Sequence, residues 1–267
     1  MSNPVGRSEI EFWREASLSS VPGIVHGFSA RTGGVSAAPW AGLNLGLHVG
    51  DDPEAVLANR RAVSAALGFA PERLVCAEQV HGGEVCIVGD ADAGRGAGDF
   101  DSAIPGVDAL VTATPGLLLA LFFADCVPVF LADVNGGVVA VAHGGWKGLV
   151  SGVVENTVAA LHERFAVAPS RLRAAIGPCI GPAAFEVGPE VAARFPGETL
   201  WLPAAERPHV DLARAVRSRL IAAGVSAESI GVAEECTAAL PDRYFSHRRD
   251  AGRTGRMGAF IGITPPE

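Results

Sequence analysis

Residues 117–133, LLLALFFADCVPVFLAD, constrain this chain more than any other stretch, because apolar side chains fill successive positions instead of alternate ones. That pattern belongs to strands buried on both faces. The run is cut by Asp125 and, like every other run in the chain, falls short of the roughly 18 apolar residues needed to cross a bilayer, so its hydrophobicity must go into internal layers. Asp133, Val134, Asn135 and Gly136 supply turn chemistry before a second apolar strand, VVAVAHGG, at 138–145. The two are expected to form an antiparallel hairpin. If Ala132 and Gly137 close a four-residue loop, paired positions sum to 269 and Cys126 lies directly opposite His143, with Cβ atoms roughly 5 Å apart.

The other elements alternate between strand and helix types. DDPEAVLANRRAVSAALG at 51–68 carries an Asp N-cap, Pro53 in the first turn and Gly68 as terminator. LVCAEQV and EVCIVG read as short strands joined in a hairpin at HGG, and further helices are expected at 147–165, 183–195 and 210–223. RAAIGP, SIGVAEE and RMGAFIGI complete the strand set. Hairpins and helices occur without a regular βαβ rhythm, no internal repeat recurs and no linker divides the chain. The expectation is therefore one α+β domain over residues 1–267, a layered sandwich of mixed β-sheets flanked by helices, with the first 20 or so residues peripheral.

Composition narrows the function classes. A formal net charge of −8 argues against a polyphosphate partner, so no nucleic acid is expected, and the absence of long apolar runs argues against a membrane. The first 17 residues, MSNPVGRSEIEFWREAS, lack the apolar core and cleavage site of a secretory signal, which points to the cytoplasm. The five cysteines then read as reduced thiols, since they fit no disulfide-framework spacing. No feature sets an oligomeric state.

Cys126 and His143 stand in apolar strands where neither polar group should be left unsatisfied, and a shared metal ion would satisfy both. A small buried thiol and a structural histidine are the plainer alternatives, and Cys76 and Cys86 are read as such core fillers. His81, at the HGG turn, is the third candidate ligand. Arg60 shares a helical face with Val56, Val63 and Leu67, whereas Arg61 is rotated about 100° away and solvated. A guanidinium on a buried face needs a partner, either a structural carboxylate or a bound anion. Backbone amides of GLNLGLHVGDD, which contains Asn44, and of HGGWKGLVSG are possible further anion donors. A basic cluster of His247, Arg248, Arg249, Arg253 and Arg256 follows Ser246, either as an anion site or as a solvated loop.

Seven segments share one resemblance: RTGGVS, GLNLGLHVGDDPEAVLANR, EQVHGGEV, FFADCVPVFLAD, VAHGGWKGLVSGVVENT, IGPCIGPAAFEVG and CT…YFSHRRD…TGRM. Over residues 24–263 the chain closely resembles the YfiH-like, laccase-domain family. The resemblance implies that His81, Cys126 and His143 ligate a metal, zinc by preference, with copper as an alternative in vitro. It also implies a purine nucleoside phosphorylase acting on adenosine, inosine and S-methyl-5′-thioadenosine, with adenosine deaminase activity, whose partners are a nucleoside and phosphate. Arg60, Asn44 and Arg248 are the expected substrate contacts, and Arg60 and Asp125 the expected catalytic groups beside the ligands. Asp125 would donate or relay a proton, or else orient a ligand histidine. His247, Gly144 and Lys147 depart from the family's commoner tyrosine, alanine and arginine. The family has also been described as polyphenol oxidases and as peptidoglycan editing factors. A multicopper oxidase uses repeated His-X-His pairs, and none of the seven histidines forms one. A metal-free Cys126–His143 hydrolase or amidase acting on peptidoglycan precursors and a non-enzymatic structural metal site are the remaining alternatives.

Overall fold

The long apolar run becomes two strands in two different sheets of the computed structural model, which describes residues 9–203 and 205–265. In a five-stranded sheet the order is β1 (Phe12–Trp13), β2 (Ile24–Ser29), β13 (Met257–Ile263), β6 (Leu118–Phe123) and β3 (Leu74–Cys76). A six-stranded sheet runs β12 (Ile230–Val232), β9 (Leu172–Ile176), β7 (Val127–Asp133), β8 (Val139–Gly144), β5 (Ala109–Thr112) and β4 (Val85–Ile87). β10 (Thr199–Leu200) and β11 (His209–Val210) form a small ribbon. Pairing is antiparallel except for β3 with β6, β4 with β5 and β12 with β9. The helices are α1 (Ala16–Ser19), α2 (Pro53–Ala66), α3 (Trp146–Val150), α4 (Val153–Phe165), α5 (Pro189–Ala192) and α6 (Leu212–Ala222).

Strand alternation sorts the apolar side chains into three interior layers. Leu119, Leu121 and Phe123 of β6 meet Phe130 and Ala132 of β7 and Val139 and Val141 of β8 between the sheets. Leu118, Ala120 and Phe122 point the other way, toward Val63 and Leu67 of α2. Val129 and Leu131 pack against Val154, Val158 and Leu161 of α4 and Val216 and Leu220 of α6. The result is helix, sheet, sheet, helix in one domain, the α+β sandwich the sequence predicts, and it explains why the apolar run does not alternate. Among the described residues no helix is long and apolar enough to cross a membrane.

Several expectations need correction. The β7–β8 loop holds four residues, but Asp133 and Val138 close it, with the Asp133 N–H donating to the Val138 carbonyl at 3.1 Å. Val127 therefore pairs with Gly144 and Pro128 with His143, a register displaced by two residues. An even displacement preserves the facing of side chains, so Cys126 becomes a diagonal neighbour of His143, with Gly145 next across from it. The HGG segment is not a hairpin: β3 pairs with β6 and β4 with β5, so residues 77–84 cross from one sheet to the other. Of the expected core fillers, Cys76 is buried and Cys86 is partly exposed.

The helix at 51–68 is realised as α2, with Asp52 capping Glu54 N–H. The 147–165 segment breaks at Gly152, φ +82°, into α3 and α4. Only α5 forms within 183–195. The N-terminal stretch is not peripheral from residue 12 onward, since β1 pairs with β2 and Leu18 of α1 is fully buried; residues 1–8 lie outside the described residues.

Phe130 is fully buried at the centre of the inter-sheet layer. Phe130→Ala should lower unfolding free energy by about 3–5 kcal/mol, read from the urea midpoint at unchanged slope, and a loss below about 1 kcal/mol would contradict this packing.

Candidate metal centre

Two chain segments cross between the sheets side by side, residues 77–84 after β3 and residues 124–126 between β6 and β7. Each crossing turns on a non-glycine residue in the left-handed region, His81 at φ +59° and Asp125 at φ +89°. These turns and the end of β8 bring His81, Cys126 and His143 together, with one ligand atom from each lying within 4.8 Å of the others. Cys126 Sγ is 4.0 Å from His81 Nε2, and the two imidazole rings meet edge to face at 4.7 Å. Tetrahedral zinc bonded to one sulfur and two nitrogens would hold the three atoms about 3.3–3.7 Å apart, so closure takes about an ångström of side-chain movement. His143 is buried, Cys126 half-buried and His81 exposed, which leaves one side of the group open.

Asp108 fixes this arrangement, and sequence reasoning missed it. It sits in the position before β5 that continues the β5–β8 ladder opposite His143, and the His143 N–H donates to its carbonyl at 2.8 Å. The carboxylate has no exposed surface. Its Oδ1 lies 2.7 Å from His143 Nδ1 and accepts the His81 N–H at 3.0 Å. Oδ2 accepts the N–H of Val80 at 3.1 Å and of Gly82 at 2.6 Å. Burial works to raise this carboxyl, but the His143 contact and the backbone donors hold it below its ordinary value. With Nδ1 engaged by Asp108, His143 keeps Nε2 for a ligand.

Two glycines make room. A Cβ at Gly145 would stand 2.9 Å from His81 Cδ2 and 3.1 Å from Cys126 Sγ, and one at Gly83 would clash with the Ser151 carbonyl. Burial likewise works to raise the Cys126 thiol, but the charge of His143 and hydrogen bonds from both histidines bring it down to about 6. His143 is pushed up to about 9, because the Cys126 and Asp108 charges outweigh its burial. Both shifts favour a thiolate–imidazolium pair in the metal-free protein. A thiolate, two imidazoles, an outer carboxylate and an open side fit a zinc ion that keeps a position for water or substrate, and the same donors suit copper.

The triad lines a cavity of about 430 Å³, within the usual size of small-molecule sites, roughly 300–1,000 Å³. Arg60 and Arg248 also line it, together with His48, Gln79, Phe122 and Arg256, which the sequence did not single out individually as site residues. Arg60 is buried as its helical position requires and Arg61 is exposed. No carboxylate lies within ion-pair distance of Arg60 among the described residues. Its Nε donates to Leu45 O at 2.9 Å, its Nη1 donates to the carbonyls of Gly96 at 2.6 Å and Ala97 at 2.9 Å, and its plane lies over Phe122. Arg248 stacks on Phe185 and donates to Glu186 O at 2.8 Å. In the basic cluster Arg249 turns away to Asp250, while Arg248 and Arg256 reach the cavity.

The structure does not bring Asn44 to the cavity wall. Asn44 is fully buried: its Nδ2 donates to Asp51 at 2.8 Å and its Oδ1 accepts the N–H groups of Gly46 and Arg256. Asp125 does not orient a ligand histidine, a role that Asp108 fills. Its carboxylate accepts from Thr237 Oγ1 at 2.7 Å, Ser246 Oγ at 3.0 Å and the Arg248 N–H at 2.7 Å. Those contacts tie the C-terminal turn to the cavity wall.

A sandwich of two mixed sheets between helices, with a His–Cys–His group at the floor of a basic cavity, defines a candidate single-centre metalloenzyme. Residues 25–264 match the model of a family described as multi-copper polyphenol oxidoreductase laccase. The purine nucleoside phosphorylase YlmD of Geobacillus stearothermophilus is 43% identical over 96% of each chain. The purine nucleoside phosphorylase YfiH of Escherichia coli is 40% identical over 90% of this chain and 94% of its own. The crystal structure of YlmD from Geobacillus stearothermophilus superposes with a TM-score of 0.89 at 42% identity, covering 96% of this chain and all of that one. The chain belongs to the YfiH-like, laccase-domain family.

Two measurements check the centre. Asp108→Asn and Gly145→Ala should each weaken zinc binding about ten- to a hundred-fold in competition with a chromophoric chelator, and wild-type affinity in both would refute the arrangement. In metal-free protein the thiolate ultraviolet absorbance should rise as pH passes upward through about 6, because the Cys126 proton is lost there instead of near 9. Cys126→Ser should remove that step, and a midpoint near 9 would overturn the thiolate–imidazolium pair.

Proposed function

We propose that the chain is a zinc-dependent purine nucleoside phosphorylase acting on adenosine, inosine and S-methyl-5′-thioadenosine, with a slower adenosine deaminase activity. The observation that carries this reading is the union, in one cavity, of a three-ligand metal group with buried Arg60, a guanidinium that has no carboxylate partner among the described residues. The names of the relatives support it. When bound, the ion supplies Lewis-acid polarisation of water or of a purine substituent, the chemistry that deamination needs.

In phosphorolysis a hydrogen-phosphate oxygen bonds to C1′ as the C1′–N9 bond breaks, and the departing purine takes the electron pair and, in net, the proton that the phosphate gives up. Arg60 holds the phosphate, and Phe122 beneath it keeps the guanidinium plane fixed. Asp125 acts through position, by holding the turn that carries Arg248. Aromatic lining from Phe122, Phe185 and Trp146 suits a purine ring.

A second reading has an observation of its own. Cys126, His143 and Asp108 resemble the thiol, imidazole and carboxylate of a cysteine hydrolase, with the low-lying thiol that such an enzyme uses. His81 weighs against it, since a second imidazole 4.0 Å from the sulfur has no task in a thiol mechanism and an evident one in a metal shell. A copper oxidase is less favoured, because the described residues contain one three-ligand group instead of a multicopper assembly.

Incubation of the zinc-loaded protein with adenosine and phosphate should give adenine and ribose 1-phosphate, with inosine forming more slowly, as followed by mass spectrometry. Chelation should abolish both products and zinc should restore them. Full activity of metal-free protein together with an alkylatable Cys126 would replace this reading with the thiol hydrolase.

A further inference from the structure

Arg60 is not the only cation without an acidic partner in the cavity. Arg256 lines the same wall, and its Nη1 donates to the carbonyls of Thr254 at 3.1 Å and Gly255 at 3.0 Å. No carboxylate lies within ion-pair distance of Arg60, Arg248 or Arg256 among the described residues. The one carboxylate lining the cavity, Asp125, spends its oxygens on neutral donors, Thr237 Oγ1, Ser246 Oγ and the Arg248 backbone N–H, and acts on Arg256 only from beyond ion-pair distance. A protein with a formal net charge of −8 thus gathers three arginines, none in an ion pair among the described residues, around one internal cavity that holds a single carboxylate and the Cys126 sulfur.

One short segment holds both arginines. Leu45 accepts Arg60 Nε at its carbonyl and donates its own N–H to the carbonyl of Arg256 at 3.0 Å. Asn44 Oδ1 accepts the Arg256 N–H at 2.8 Å, and Asn44 Nδ2 is fixed by Asp51, just ahead of the helix that carries Arg60. Gly46 is glycine because a Cβ there would stand 2.8 Å from Arg256 Cγ. The bracket 44–46 therefore sets the position of Arg256 against Arg60. His48, two residues on, lies close enough to both guanidiniums that their charges, after burial itself, hold its imidazole down to about 4.

We infer that Arg60 and Arg256 form a two-guanidinium clamp for a single tetrahedral oxyanion, inorganic phosphate in the proposed reaction, with Asn44 as the residue that positions Arg256. Each arginine spends only part of its donor set on backbone carbonyls: Arg60 keeps Nη2, and Arg256 keeps Nε and Nη2, free of hydrogen bonds among the described residues. A free Nε–Nη2 fork on Arg256 and a further donor nitrogen, Nη2, on Arg60 form a multi-point arrangement that favours phosphate over a monatomic anion. The clamp rests on the phosphorylase reading for the identity of its ligand, but not for its existence.

Isothermal titration of zinc-loaded protein with inorganic phosphate, without nucleoside, tests it. Phosphate should bind, with sulfate competing and chloride not. Arg256→Gln and Arg60→Lys should each weaken binding about ten- to a hundred-fold, while Arg61→Gln, on the solvated side of α2, should leave it unchanged. Asn44→Ser should raise the phosphate KM and leave the nucleoside KM unmoved, which a merely structural defect would not do. Thermal melts and zinc content measured on every variant exclude a collapsed site as the cause. Wild-type phosphate affinity in Arg256→Gln, or no phosphate binding by the wild type, overturns the clamp. Phosphate binding that depends on both arginines, without phosphorolysis of any nucleoside, upholds the clamp and overturns the phosphorylase reading instead.

Discussion

Four donors converge on the buried Asp108 carboxylate, and the geometry of both candidate histidine ligands follows from where that carboxylate stands. Three of the donors are consecutive backbone N–H groups, Val80 to Gly82, so the crossing that carries His81 is pinned at the turn itself. The fourth is His143 Nδ1, which sets the orientation of the other imidazole. An ionised carboxyl removed from water costs several kcal/mol unless its lone pairs are met, and here the groups that meet them belong to the functional site. Folding and site assembly are thereby coupled: the donors that make Asp108 tolerable in the core are the ones that bring His81 and His143 together.

Much of this was legible in the sequence, for reasons that can be traced to particular residues. The layer architecture follows from the non-alternating run at 117–133, since β6 and β7 each bury both faces. Burial of Arg60 and exposure of Arg61 follow from helical spacing alone. Cys126 and His143 were brought to one face by a hairpin argument whose register was displaced by two, and the even displacement kept the facing correct. What escaped was long-range. Asp108 is one acid at the head of an apolar strand, and only the β5–β8 register, which pairs Ala109 with Ala142, shows that it stands opposite His143. The HGG segment carries turn residues that suit a hairpin and a sheet crossing equally well, and only the parallel partners β6 and β5 distinguish them. Asn44 was expected at the substrate from the family resemblance, whereas its amide is engaged inside the fold, Nδ2 with Asp51 and Oδ1 with the N–H groups of Gly46 and Arg256.

The two-sheet design also explains where the chemistry sits. A chain that builds two packed sheets must pass between them, and the passages cannot be regular strand, so they carry unusual backbone and free polar groups. Here two passages run side by side at one end of the sandwich, and the left-handed residues on them are His81 and Asp125 instead of glycine. A side chain in that region costs roughly 1–2 kcal/mol and persists where surrounding contacts over-determine it. Asp108 does so for the first passage through three N–H groups. For the second, the Asp125 carboxylate gathers Thr237, Ser246 and the Arg248 N–H, while its carbonyl accepts the Ile180 N–H at 2.9 Å.

One aspartate thus stabilises each of these two crossings, and each draws in a different part of the molecule. Asp108 ties its crossing to β8 and the candidate metal ligands; Asp125 ties its own to the C-terminal turn and the basic wall of the cavity. Cys126 follows directly on Asp125, so the sulfur of the metal group and the backbone of Arg248 are fixed by the same residue. The candidate metal pole and the candidate anion pole are therefore not two independent patches on one surface. A short covalent path through residues 125 and 126 links the metal group to the Arg248 turn, the 44–46 segment links Arg60 to Arg256, and the inter-sheet core, which includes fully buried Phe123 and Phe130, stands behind the metal group. A reaction that must hold an oxyanion at one point and polarise a substrate atom at another needs a fixed separation, and a sandwich supplies it where a single flexible loop would not.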